Sequence, residues 1–119
     1  MKIPWDESSV ALRSGAIRVL ERGEGPALIW SHGVLHPIAL EELTPLRELF
    51  DAIQGRRVVR YDARGHGGSE SGRSDADNRW DELGKELLEL ADALEIERFV
   101  AGGASMGVAA SLYAALRAP

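Results

Sequence analysis

In the stretch Gly103-Ala104-Ser105-Met106-Gly107, a serine stands between two glycines where an apolar run, Phe99-Val100-Ala101-Gly102, gives way to an alanine-rich helical pattern. A G-x-S-x-G turn between strand and helix is the setting of an exposed nucleophilic serine, a nucleophile elbow. So sharp a turn brings strand and helix close together, and the positions two residues either side have no room for a Cβ atom. Gly103 and Gly107 meet that need. The turn is expected to lift the Ser105 hydroxyl over the sheet. It also leaves the Met106 N–H pointing from the free first turn of a helix, where developing negative charge is favoured. The chemistry this suits is attack on a carbonyl, with half an oxyanion hole beside the nucleophile.

The elements that must position this serine read as alternating strands and helices. Residues 16–20 form a short strand, and Glu21-Arg22-Gly23-Glu24-Gly25-Pro26 a turn into Ala27-Leu28-Ile29-Trp30, an unbroken apolar run typical of a strand covered on both faces. A helix follows, with Thr44 as cap, Pro45 in its first turn, Leu46, Leu49, Phe50 and Ile53 as apolar stripe and Gly55 as stop. Val58, Val59 and Tyr61 give another buried strand. After a glycine-, serine- and aspartate-rich loop over residues 65–77, Trp80, Leu83, Leu87, Leu90 and Leu94 define a one-sided helix. Asp81, Glu82, Lys85, Glu86 and Glu89 lie between them as its solvent side. Residues 99–102 make the next strand and 108–118 the next helix. Such alternation implies a parallel sheet with right-handed crossovers, whose ligands bind beyond the carboxyl ends of the strands. Three loops occupy those ends: residues 31–37, 62–71 and 102–107.

Composition excludes several other classes. At 119 residues with 45% hydrophobic content the chain suits one domain or part of one. Fourteen Lys+Arg against 19 Asp+Glu give a net charge of -5, with the basic residues scattered, so no nucleic-acid partner is expected. No cysteine is present for disulfides or thiolate metal sites, and the histidines lie in separate loops with no metal-ligand spacing. The acidic opening after Met1 lacks the apolar core of a signal peptide, and no stretch is long enough to span a membrane. A soluble cytoplasmic protein without cofactor or membrane partner is the expectation. Gly102 to Gly107 also lacks the order and the lysine of nucleotide-binding glycine loops.

Together with the elbow, two further stretches resemble the N-terminal part of an α/β-hydrolase-fold serine hydrolase. Ser31-His32-Gly33-Val34 is similar to that family's His-Gly stretch, whose following residue, here Val34, would supply the second oxyanion N–H. Tyr61-Asp62-Ala63-Arg64-Gly65-His66-Gly67-Gly68-Ser69 is similar to the Asp-x-Arg-Gly-His-Gly-x-Ser loop that many members carry. The resemblance implies an α/β fold with a mostly parallel sheet and helices on both faces. It makes residues 1–119 the N-terminal part of one domain, incomplete on its C-terminal side. It casts Ser105 as nucleophile and the Val34 and Met106 N–H groups as oxyanion donors, with His32, Gly33, Gly103, Gly107, Asp62, Arg64 and His66 as support. His32 would brace its loop, His66 would fill the turn, and Asp62 and Arg64 would pair or bond to backbone. His36 would line a pocket or face water.

In this family the triad runs Ser, then acid, then His, yet Met106 to Pro119 contain neither acid nor histidine. Loss of the base in a comparable triad costs roughly 10⁶ in kcat, so this chain alone is expected not to turn over beyond about 10³ to 10⁴ over water. The elbow strand would also lie at an open sheet edge, able to associate with another chain. The chain is thus read as a fragment, or a half-domain completed by a partner. The expected substrate is a small acyl compound, opened through an acyl-enzyme on Ser105. A serine at the elbow argues against dehalogenase or epoxide hydrolase chemistry, which the family resemblance assigns to an aspartate nucleophile. The rival expectation is a non-catalytic binding module on the same fold.

Overall fold

Ile17 and Val19, alternate residues of one strand, are wholly buried, and their alternation fixes which side of the sheet faces the larger helices. A computed structural model describes residues 4–70 and 79–118. Residues 1–3, residues 71–78, which include the 65–77 loop beyond Glu70, and Pro119 lie outside the described residues. The strands are β1 (Asp6–Leu12), β2 (Gly15–Arg22), β3 (Ala27–Ser31), β4 (Arg57–Tyr61) and β5 (Phe99–Gly103). The helices are α1 (Ile38–Glu41), α2 (Leu46–Ala52), α3 (Trp80–Ala93) and α4 (Met106–Arg117).

One five-stranded sheet has the order β1-β2-β4-β3-β5. β3 pairs in parallel with β4 and β5, while β1–β2 and β2–β4 are antiparallel, so β2 alone among the described strands opposes the rest. The sheet is mixed rather than simply parallel. Its hairpin half includes β1, a strand with no apolar pattern to mark it in the sequence, since its first four residues, Asp6-Glu7-Ser8-Ser9, are polar and exposed. Register positions the site: Ser31 pairs with both Tyr61 and Gly103, so the carboxyl ends of β3, β4 and β5 are level and their loops emerge side by side.

Helices cover both faces. Ile17, Val19, Ile29, Val59 and Tyr61 pack with Leu83, Leu87 and Leu90 of α3 and Met106, Ala110 and Ala114 of α4. Gly84 lets these helices close on each other, since a Cβ there would lie 2.7 Å from Tyr113 Cβ and 3.0 Å from the Ala114 nitrogen. On the other face Phe50 of α2 meets Trp30 edge-on at 5.4 Å. Arg60, 1% exposed, lies over Phe50 and pairs with Glu41 and Glu42. Burial pushes the Glu41 carboxyl up, against hydrogen bonds from Trp30 and Arg60. The expected cap holds: Thr44 Oγ1 accepts the Leu46 N–H at 3.3 Å.

Two expectations about α3 are corrected. Trp80 begins the helix and is exposed, because the core ends a turn later at Leu83. Glu86 was expected on the solvent side, but it is 1% exposed. It lies three residues after Leu83 and four before Leu90, inside the apolar stripe, and an arginine reaches it there.

Candidate active site

Ser105 stands between β5 and α4 with φ 51° and ψ -114°, one of the described non-glycine residues in the left-handed region. The turn has no space for side chains at its flanks. A Cβ on Gly107 would fall 1.7 Å from the Ser31 carbonyl oxygen, and one on Gly103 would fall 2.6 Å from the Gly107 carbonyl carbon. The Ser31 carbonyl also accepts the Ala104 N–H at 3.2 Å, so the end of β3 serves as the anvil for the turn. Beneath it the Ser31 and Tyr61 hydroxyls share a buried 2.7 Å hydrogen bond, and burial pushes the Tyr61 phenol above its ordinary range. The Ser105 residue is exposed, whereas Met106 behind it is buried.

Gly33 brings the 31–37 loop against this turn: a Cβ on it would lie 3.6 Å from Ser105 Cβ. Neither the Val34 nor the Met106 N–H donates to any described residue. Gly107 and Val108, by contrast, already donate within the turn, to Ala104 and Ser105 oxygens at 2.8 and 2.9 Å.

His32 and His66 tie the 31–37 loop to the 62–69 loop. His32 is 2% exposed, and its Nε2 accepts the Ala63 N–H at 2.9 Å while Nδ1 donates to the Gly33 carbonyl at 2.7 Å. His66 Nε2 accepts the Leu35 N–H at 2.9 Å and Nδ1 donates to the Arg64 carbonyl at 3.1 Å. Accepting at Nε2 assigns the same neutral tautomer, protonated at Nδ1, to both rings. Burial holds the His32 imidazole below its ordinary value, helped by His66 and opposed by the Gly33 carbonyl and Asp62. His36 contributes its backbone, donating to Gly33 at 3.1 Å.

Asp62 and Arg64 do not pair with each other. Asp62, 1% exposed, accepts the Ile38 N–H at 2.9 Å on Oδ1, and the Gly68 N–H at 3.1 Å and Arg18 at 3.4 Å on Oδ2. It therefore joins α1 to its own loop. Arg64 turns the other way, and its Nε and N–H both donate to the Glu86 carboxylate. Burial raises the Glu86 carboxyl, against the hydrogen bonds and charge of Arg64. The sequence signal for this pair was present as an acid in the α3 stripe and an arginine in a loop. Arg18 joins Asp62 to Glu7 of β1, a strand whose polar sequence carries no signal of that contact. Among the described residues no group of His, Asp and Glu is arranged to hold a metal ion, and no helix is long and apolar enough to cross a membrane.

With this geometry in view, comparisons with known proteins define the class. The alpha/beta hydrolase fold family model matches residues 26–119, and the chain belongs to that family. Epoxide Hydrolase A from Mycobacterium thermoresistibile is similar over 98% of this chain at 28% identity with a TM-score of 0.80. An epoxide hydrolase from an endophytic Streptomyces is similar over 95% at 25% identity and a TM-score of 0.79. Epoxide hydrolase VrEH1 from Vigna radiata shares the fold over 94% at 23% identity and a TM-score of 0.76. The chain spans 36%, 34% and 35% of those three chains. A search of curated proteins finds no match.

Proposed function

We propose that this chain carries the nucleophile and oxyanion site of a serine hydrolase that cleaves an ester-like or other acyl bond. The observation that carries the reading is the turn at Ser105: a strained, exposed serine beside two backbone N–H groups, of Val34 and Met106, that donate to no described residue. Ser105 Oγ attacks the carbonyl carbon, the N–H groups hold the developing oxyanion, and the alcohol leaves with the proton taken from Oγ. Water then releases the acid and restores the hydroxyl. Because His32 and His66 have both ring nitrogens engaged, the base that takes the proton is neither of them. In the family order it follows the elbow in sequence.

The similarity to epoxide hydrolases supports a second reading, epoxide opening at the same elbow. The chemistry of Ser105 weighs against it. A serine oxygen that opens an epoxide forms an ether, and an ether has no carbonyl for water to attack, so the enzyme would be consumed. A carboxylate nucleophile forms an ester that water can cleave. Incubating the intact protein with a p-nitrophenyl ester and, separately, with an aryl epoxide tests the two. The proposal expects catalytic release of nitrophenol, lost in Ser105→Ala, and no diol. Diol formed with multiple turnovers would overturn it in favour of the second reading.

A further inference from the structure

The most extensive feature outside the nucleophile turn is the reciprocal link between the two loops beside it. Each histidine reaches across to the other's loop: His32 takes the Ala63 N–H and His66 takes the Leu35 N–H, with the ring centroids 4.9 Å apart. Leu35, whose N–H is held by His66, has φ 57°, a conformation a leucine does not keep without a fixed partner. It follows Val34 directly, so the Val34–Leu35 peptide carries the bond, and the direction of the preceding N–H depends on it. His32, wedged between Gly33 and Ala63, holds the carbonyl of the preceding Gly33–Val34 peptide, the unit that carries the Val34 N–H itself.

We propose that His32 and His66 are positioning residues that act as a pair to hold the Val34 N–H toward Ser105, and that the pair works only while both Nε2 atoms are unprotonated. This rests on the oxyanion role given above to Val34. A proton on either Nε2 replaces an acceptor by a donor facing a backbone N–H, and two charged rings at this separation repel. The groups bearing on the pair from the surrounding elements are Asp62, which favours the charged form of His32, and His36, which opposes it. The charges next to those are already engaged: Arg18 on Asp62, and Arg64 on Glu86. Acid is therefore expected to release the 31–37 loop without touching the nucleophile.

The test compares the intact wild-type protein with His66→Ala and His66→Gln, whose amide oxygen accepts the same N–H but does not titrate. Amide NMR follows Val34, Leu35 and Ala63 from neutral to acid pH, and ester turnover is measured at neutral pH. In wild type, protection of Leu35 and Ala63 is expected to vanish and the Val34 resonance to move in acid. In His66→Gln the Leu35 signal stays protected, while the Ala63 signal, held by His32, still responds to acid. His66→Ala is expected to lower kcat about ten- to a hundredfold with KM nearly unchanged, less than the roughly 10² to 10³ that follows deletion of a donor. His66→Gln recovers most of it. Leu35 protection that is the same in His66→Ala as in wild type overturns the proposal, as does an unchanged kcat in that variant. If wild type turns over no ester, the hydrolase reading fails, and the amide signals still decide the positioning role. If His66→Ala does not fold, His66→Gln decides: a Leu35 N–H that still loses its protection in acid overturns the proposal.

Discussion

The turn at Ser105 and the loop pair beside it reach fixed geometry by opposite means. The turn is shaped by missing atoms: Gly103 and Gly107 let two backbones approach the Ser31 carbonyl where any side chain would collide. The loops are shaped by added ones: Asp62, His32, His66 and Glu86 each accept backbone N–H groups that the connecting segments leave unpaired, and Arg64 anchors its loop to Glu86 through its side chain as well. A site built by exclusion fails all at once when it is filled, whereas a site built by polar contacts loses its members one by one. The difference also separates strain from satisfaction, since Ser105 pays in an unfavourable φ while the loop residues relieve unmet hydrogen bonds.

The sharpest way to break the comparison is Gly107→Ala. Its Cβ would sit 1.7 Å from a backbone oxygen that cannot rotate away. The expected cost exceeds the roughly 1–3 kcal/mol of ordinary overpacking severalfold, and no cooperative urea transition should remain. Next comes Arg64→Ala, which removes the guanidinium from a Glu86 that is 1% exposed. About 3–5 kcal/mol is expected from the urea midpoint, and Arg64→Leu combined with Glu86→Leu should recover most of it. A normal midpoint for Gly107→Ala together with collapse of Arg64→Ala would reverse the contrast.

These two regions also differ in how far the sequence disclosed them. A requirement for no side chain is written as glycine at fixed spacing, so the elbow, with Ser105 between Gly103 and Gly107, is legible in five residues. The fold class was legible too, because β3, β4, β5, α3 and α4 each carry a continuous apolar run or stripe. Partners in a polar network depend on which elements meet. Asp62 and Arg64 read as residues that pair or bond to backbone; both do reach backbone, Asp62 at the Ile38 and Gly68 N–H groups and Arg64 at the Glu82 carbonyl, but their charged partners are Arg18 and Glu86, which lie on β2 and α3. β1 was lost because a polar hairpin strand with one partner has little apolar surface to announce it.

Two smaller effects sharpen the account. His32 is buried with its imidazole held below the ordinary value, so the unfolded chain takes up its proton first as pH falls. Stability is then fully present above about 6.5 and declines as pH drops from there through the lowered folded value, by at most about 1.4 kcal/mol per unit. Urea titrations of wild type and His32→Gln between neutral and acid pH should show this slope in wild type and its loss in the variant. Smallest is Ser105→Gly, which removes a side chain from the left-handed region and is expected to raise stability by about 1 kcal/mol, net of the added freedom of the unfolded chain. A variant less stable than wild type would show that the serine is not strained.

The central claim is that Ser105 is a nucleophile, and covalent labelling tests it most directly. The intact native protein is treated with a fluorophosphonate and examined by intact mass and peptide mapping, with Ser105→Ala alongside. The account predicts one adduct, on Ser105, that disappears in the variant. A folded protein that gains no adduct, or gains it unchanged in Ser105→Ala, would contradict it.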